Sequence, residues 1–192
     1  MSHHHESKKY CIIHLSLILR GVVMKNYPYR RSPRMKGYDY SQQGAYFITI
    51  CTQNRLCLFA EIVNDELVLS PAGNMIKNYW EQIPIKFPDV FLADFVVMPN
   101  HFHGVLFMES VNQQTTLPQI IQWFKTVTTN GYIKGVKQEG WEAFMGKLWQ
   151  TSFYDHIIQD ENSLYKIVDY ILFNPEKWVD DALHPRFNAP PK

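Results

Sequence analysis

The sequence has no long apolar run. Its nearest approach, residues 11–23, is broken by His14 and Arg20, is too short to span a bilayer and lacks a small-residue cleavage site, so no membrane partner is expected. Cysteine is scarce and odd in number. Cys11, Cys51 and Cys57 match neither a disulfide framework nor a zinc knuckle, which excludes a disulfide-stapled scaffold and points to a reducing compartment, the cytoplasm. Excess charge of one sign is also missing: the net charge is +1, so a nucleic-acid partner cannot be argued from the whole-molecule balance. There is no internal repeat, and no Cys-x-x-Cys or His-Glu-x-x-His pattern supports a structural zinc site or a zinc hydrolase.

What is present is enough apolar sequence, 46% of 192 residues, to fill one packed domain. The charge is unevenly spread. Residues 1–40 carry eight Lys or Arg against Glu6 and Asp39, a balance of +6, and the remainder, with eleven basic and sixteen acidic side chains, stands at −5. We therefore expect residues 1–26 to be a leader or disordered basic arm, residues 27–185 a single domain and residues 186–192 a tail. The His3-His4-His5 run belongs with the leader, and Met24 and Met35 both stand just ahead of the domain sequence.

Residues 46–52 (YFITICT) are β-branched and aromatic after a Gln43-Gly44 turn, which predicts a first strand. Residues 58–69 read as a second extended stretch turning at Asn64-Asp65. Ser70-Pro71 suits a helix start, and Met75, Ile76, Tyr79, Trp80 and Ile83 have helical spacing up to Pro84 or Pro88. Residues 91–98 and 103–108 predict a strand pair. A second helix starts near Leu117-Pro118 and carries Ile120, Ile121, Phe124, Val127 and Thr128, with Gly131 and Gly135 weakening its end. A strand over 148–158 then leads to a third helix, from the cap Asp160 to Asn174, where Pro175 stops it. The order is α+β, compatible with a ferredoxin-like, RRM-like antiparallel sheet carrying helices on its faces.

Two features could carry chemistry. In a strand, the period of two puts His101 and His103 of Pro99-Asn100-His101-Phe102-His103-Gly104 on one face and Phe102 on the other. Two imidazoles do not complete a metal site, and by itself the pair reads more readily as surface or structural histidines. On the third helix, Leu164, Ile167, Val168, Ile171 and Leu172 define a buried stripe. Tyr170 lies off it at roughly 100° per residue, with Asn174 one turn later on the same flank. Alone, Tyr170 reads first as an aromatic lying along the surface. Tyr165 reads as packing, and Tyr154 belongs to the preceding strand.

The combination resembles a known family. Residues 29–40 (YRRSPRMKGYDY) and 44–55 (GAYFITICTQNR) are similar to the opening of REP-associated tyrosine transposases, and residues 98–104 (MPNHFHG) to their His-hydrophobic-His signature. Residues 149–158 (WQTSFYDHII), with Asp169-Tyr170-Ile171 and residues 174–178 (NPEKW), resemble their C-terminal block. The resemblance runs in order from about Tyr27 to Trp178.

It implies an HUH endonuclease fold and a metal-dependent single-stranded DNA endonuclease and strand transferase, acting at hairpins of repetitive extragenic palindrome type through a 5′-phosphotyrosine intermediate. Tyr170 matches the nucleophile, and His101 and His103 match the histidines that hold Mg²⁺ or Mn²⁺. Asn174 stands where more distant relatives place a Gln that completes the metal site, and His156 falls in a matched block, where it reads first as a packed strand histidine and second as a supporting or DNA-contacting residue. Arg30, Arg31, Arg34, Lys36 and Lys125 are candidate DNA contacts on charge and aromatic placement. The partner implied is single-stranded or hairpin DNA, and the protein is a monomer or a homodimer. A catalytically inactive hairpin-binding module of the same fold is the alternative.

Overall fold

The computed structural model describes residues 37–64, 66–109 and 115–188. The predicted leader and the basic residues Arg30, Arg31, Arg34 and Lys36 lie outside them. Strands β1 (Gly44–Cys51), β4 (Val90–Val97), β5 (His101–Met108) and β6 (Tyr154–Ile158) form one sheet in the order β4-β5-β1-β6, with every pairing antiparallel. Strands β2 (Ala60–Val63) and β3 (Glu66–Leu69) make a separate hairpin, with Asn64 left-handed (φ 51°) at its turn. Helix α1 (Pro71–Glu81) and the short α2 (Ile83–Lys86) link the hairpin to β4, α3 (Leu117–Glu139) links β5 to β6, and α4 (Glu161–Phe173) follows β6. With the hairpin set aside, the strand-helix-strand-strand-helix-strand order is ferredoxin-like, as the sequence predicts.

The helix starts follow their caps. The Ser70 hydroxyl accepts from Gly73 N, the Thr116 side chain and Gln119 form a capping box, and Asp160 accepts from Ser163 N. Each sheet face then buries a different core. Tyr46, Ile48, Ile50, Phe102 and Leu106 point to the α1/α3 side and join Trp80, Ile76 and Phe124. Ala45, Val105, Phe107 and Ile158 point to the other, where Leu164, Val168 and Ile171 of α4 cover part of the face. Phe102 and the two histidines therefore part company across β5, as the alternation requires.

Gly104, between Ile48 and Phe95 in the sheet, is the point of closest packing. A Cβ there would stand 2.7 Å from Trp80 Cζ2 and 2.8 Å from Phe102 Cε1, both fully buried rings. Overpacking of this kind costs about 1–3 kcal/mol. Gly104→Ala is expected to lose roughly 2–3 kcal/mol, a fall of roughly 5–10 °C in Tm for a domain of this size, measured by thermal or urea unfolding. An unchanged midpoint would show that Trp80 has room to move.

Several expectations are corrected. The strand predicted over 148–158 begins only at Tyr154. Residues 150–152 are instead held by the Lys125 ammonium, which donates to the carbonyls of Gln150, Thr151 and Ser152 at 2.8, 3.2 and 3.0 Å, and Trp149 makes only an isolated bridge to Thr52. Helix α3 runs through Gly131 and Gly135 to Glu139, because both glycines admit close neighbours: Met75 and Tyr79 at the first, the Trp141 ring at the second. Gly140, left-handed at φ 72°, ends it. Strand β5 starts at His101 rather than His103, and β1 already at Gly44, which pairs with Met108 instead of turning. Tyr165 lies at the surface instead of packing.

Candidate functional site

The site is built on the α4 side of the sheet, at the His101 end of β5. His101 pairs with Cys51, and His103 with Thr49, so both imidazoles emerge beside the end of β1. Their rings lie 4.5 Å apart at 70°, and both side chains are essentially fully buried. Removal from water holds both in the neutral form: burial lowers the His101 pKa to about 3, and burial together with neighbouring His101 holds His103 well below its ordinary value.

The protons on these rings are directed by their neighbours. Asn100 Nδ2 donates to the carbonyls of Arg55 at 3.3 Å and Leu183 at 2.9 Å, which fixes the amide and turns Oδ1 toward His101 Nδ1 at 2.8 Å. An amide oxygen only accepts, so His101 carries its proton on Nδ1 and presents a bare Nε2. That Nε2 is buried and has no hydrogen-bond partner among the described residues. His103 Nδ1 lies 2.8 Å from Thr49 Oγ1, and its Nε2 lies 3.3 Å from Tyr170 Oη.

Tyr170 comes to this point because α4 packs with Leu164, Val168 and Ile171 inward, leaving the ring at the helix flank, edge-on to Phe47 at 6.0 Å and to His103 at 5.2 Å. It remains 43% exposed, so its oxygen meets both the buried histidine and solvent. Partial burial and then the charge of Asp181 push its pKa above the ordinary phenol value. Asn174, at the end of α4, is buried. Its Nδ2 lies 3.3 Å from Asp181 Oδ2, while its Oδ1 has no hydrogen-bond partner among the described residues.

Asp181 is the residue the sequence reading missed. His101, His103 and Asp181 each offer one donor atom, and these atoms all lie within 4.8 Å of one another. The donor set suits a divalent ion: two neutral imidazoles with bare or available nitrogens, a carboxylate, and an amide oxygen left unsatisfied beside them. A buried polar atom without a partner costs about 1–3 kcal/mol, so two in one place are a specific anomaly. Asn100, part of the quoted motif, was also assigned no role in advance, although it sets the His101 tautomer.

Of the other expected residues, His156 pairs with Phe47 on the same sheet face as the histidines, exposed on edge strand β6. Tyr154 shares that face through its pairing with Thr49. Lys125 packs toward the 150–152 carbonyls, which engages its three donors within the chain. Cys51 and Cys57 are free thiols, with Cys51 raised to about 11 by burial. Among the described residues no helix is long and apolar enough to cross a membrane.

A ferredoxin-like sheet with a His-x-His pair on one face and a helix tyrosine over it is the arrangement that the resemblance to tyrosine transposases implies. Residues 41–173 match the family described as Transposase IS200 like, and the chain belongs to that family. More particularly, it is 26% identical over 142 residues, 72% of this chain and 74% of the relative, to a Haemophilus influenzae protein named as a REP-associated tyrosine transposase. A second Haemophilus influenzae protein, without an assigned function, is 39% identical over 168 residues, 81% of this chain and 93% of its own length. The fold is similar to that of a REP-associated tyrosine transposase solved bound to a REP hairpin (TM-score 0.51, 21% identity, 79% of this chain and 74% of that one).

Proposed function

We propose that this transposase is a metal-dependent single-stranded DNA endonuclease and strand transferase that acts at hairpin, REP-like DNA, with Tyr170 as nucleophile. The observation that carries the reading is the approach of Tyr170 Oη to 3.3 Å from His103 Nε2, beside a His101 Nε2 and an Asn174 Oδ1 that are buried without partners. His101 and His103, with Asn174, would hold Mg²⁺ or Mn²⁺. When bound there, such an ion would polarise the scissile phosphate and offset charge that builds on it.

A phenol near pKa 10 is a weak nucleophile at neutral pH, and the surroundings of Tyr170 raise it further. Attack therefore needs proton loss and bond formation together. Tyr170 Oη forms a bond to the phosphorus while the bond to the 3′ oxygen breaks. The phenolic proton passes to solvent, and the leaving oxygen takes a proton to become a 3′-OH. One phosphoester replaces another, so a different 3′-OH can reverse the step and join a new strand without ATP. A single tyrosine cuts one strand, which favours single-stranded DNA beside a hairpin, and a reaction on the cell's own DNA with free thiols nearby suits the cytoplasm. Tyr170 and the histidine pair meet within one chain, which supports catalysis in cis, by a monomer or by each subunit of a homodimer. Arg30, Arg31, Arg34 and Lys36 would add phosphate contacts, and the exposed His156 a contact at the sheet edge.

The test is incubation with labelled single-stranded hairpins from DNA flanking the gene, in Mn²⁺, Mg²⁺ or EDTA, followed by denaturing electrophoresis. A covalent protein–DNA band is expected with either metal and absent in EDTA. Hairpin binding with no band in any metal would sink the nuclease reading in favour of a binding module.

A further inference from the structure

Asp181 lies beyond the 41–173 stretch that matches the family, in chain that turns back after α4. Asn174 ends the helix, Pro175 prevents its continuation, and a single 3₁₀ turn, Trp178–Asp180, redirects the backbone toward the end of β5. The return is anchored from several sides. Arg55 Nη1 donates to Ala182 O at 2.8 Å and Asn100 Nδ2 to Leu183 O at 2.9 Å, while the buried Trp178 ring stands 5.9 Å from that of His101. The Asp181 carboxylate is itself oriented, accepting from Leu183 N at 2.6 Å through Oδ1, with Asn174 Nδ2 3.3 Å from Oδ2.

This places an anionic oxygen within 4.8 Å of the two imidazole donors. Metal–ligand bonds of about 2.1 Å put donors on opposite sides of one ion about 4.2 Å apart, so adjustment of side chains alone closes the set on a single cation. An imidazole ligates through an uncharged nitrogen and the Asn174 amide carries no charge, so among these donors Asp181 is the one carboxylate that can offset a dication. Asn100 ties the two halves together, because the same side chain orients His101 and holds the backbone two residues after Asp181.

We propose that Asp181 is a further ligand of the metal, so that a carboxylate from the chain after α4 joins His101, His103 and Asn174 Oδ1, with Asn174 also holding that carboxylate through its Nδ2. This rests on the reading of His101 and His103 as metal-binding. It makes residues past the 41–173 stretch part of the catalytic centre: removal of the chain after Lys177 removes a ligand.

The experiment is titration of the full-length protein with Mn²⁺, followed by the loss of the free-ion EPR signal, for wild type, Asp181→Asn and His101→Ala. Asp181→Asn keeps an oxygen for Leu183 N and removes the charge; its Mn²⁺ Kd is expected to rise at least about tenfold. A second variant, Asp181→Cys, is loaded with Co²⁺ and examined for a thiolate-to-cobalt absorption band that wild type, with Cys51 and Cys57 in place, does not give. Weakened Mn²⁺ binding together with the new band establishes direct ligation. If His101→Ala abolishes binding while Asp181→Asn binds as wild type and no band forms, Asp181 is only an anchor for the returning chain and the proposal fails alone. If wild type itself does not bind Mn²⁺, the metal reading under Proposed function falls with it.

Discussion

Tyr170→Phe is expected to abolish the covalent protein–DNA adduct and to lower hairpin cleavage by a factor of at least about 10³, because the variant lacks the hydroxyl that stands 3.3 Å from His103 Nε2. The variant should fold as wild type does. The Tyr170 ring keeps its edge contacts with Phe47 and His103, and the hydroxyl lies 3.3 Å from His103 Nε2 on a side chain that is already 43% exposed. Loss of one such hydrogen bond changes stability by about 1 kcal/mol at most. Mn²⁺ binding should survive as well, since removing Oη frees His103 Nε2 instead of disturbing it. The measurement is the adduct band on a denaturing gel beside a Tm with and without Mn²⁺. An adduct that persists would move the nucleophile to Tyr154, which stands on the same sheet face by its pairing with Thr49 and is exposed on the edge strand.

The legible and illegible parts of this site divide along a physical line. His101 and His103 could be placed on one face because the two-residue period of a strand is a local property, and Phe102 between them, at 0% exposure in the opposite core, confirms that alternation. Tyr170 could be placed off the α4 stripe for the same reason at helical period, and Ser70 and Asp160 mark helix starts through bonds made within three residues. Asp181 has no such signature. It reaches the histidines only because a proline-terminated helix and one 3₁₀ turn reverse the chain, and because Arg55 and Asn100, from distant segments, hold the carbonyls that follow it. The late start of β6 has a comparable origin: an ammonium from α3 takes three carbonyls that a strand would have given to its neighbour. Gly131 and Gly135 misled for the converse reason. Their propensity argues for a helix end, but the missing Cβ atoms let Met75, Tyr79 and Trp141 approach, and tertiary packing outweighs a propensity of about 1 kcal/mol each.

The division also bears on energetics. A fold that buries two imidazoles, each stripped of solvent and one with a bare nitrogen that finds no partner, gives up stability that it regains only when a ligand satisfies them. The empty centre should therefore be the less stable state, and metal should bind the folded chain far better than the unfolded one.

His101→Ala is the variant in which that coupling should vanish. At a free Mn²⁺ concentration near a hundred times Kd, ligand linkage adds about 2.7 kcal/mol, which for a domain of this size raises Tm by roughly 5–10 °C. The rise is expected for wild type and absent from His101→Ala, and the adduct should disappear with it. The unliganded variant will itself be destabilised, because deleting a fully buried ring leaves a cavity and strips Asn100 Oδ1 of its donor. The informative quantity is accordingly the shift produced by Mn²⁺ within each protein, not the difference between their metal-free midpoints. Asn100 Nδ2 keeps its carbonyls on Arg55 and Leu183 in the variant, so the returning chain and Asp181 stay in place and the comparison isolates the imidazole. A full Mn²⁺ shift in His101→Ala would mean that the ion sits elsewhere, and the orphaned Nε2 would then need another explanation.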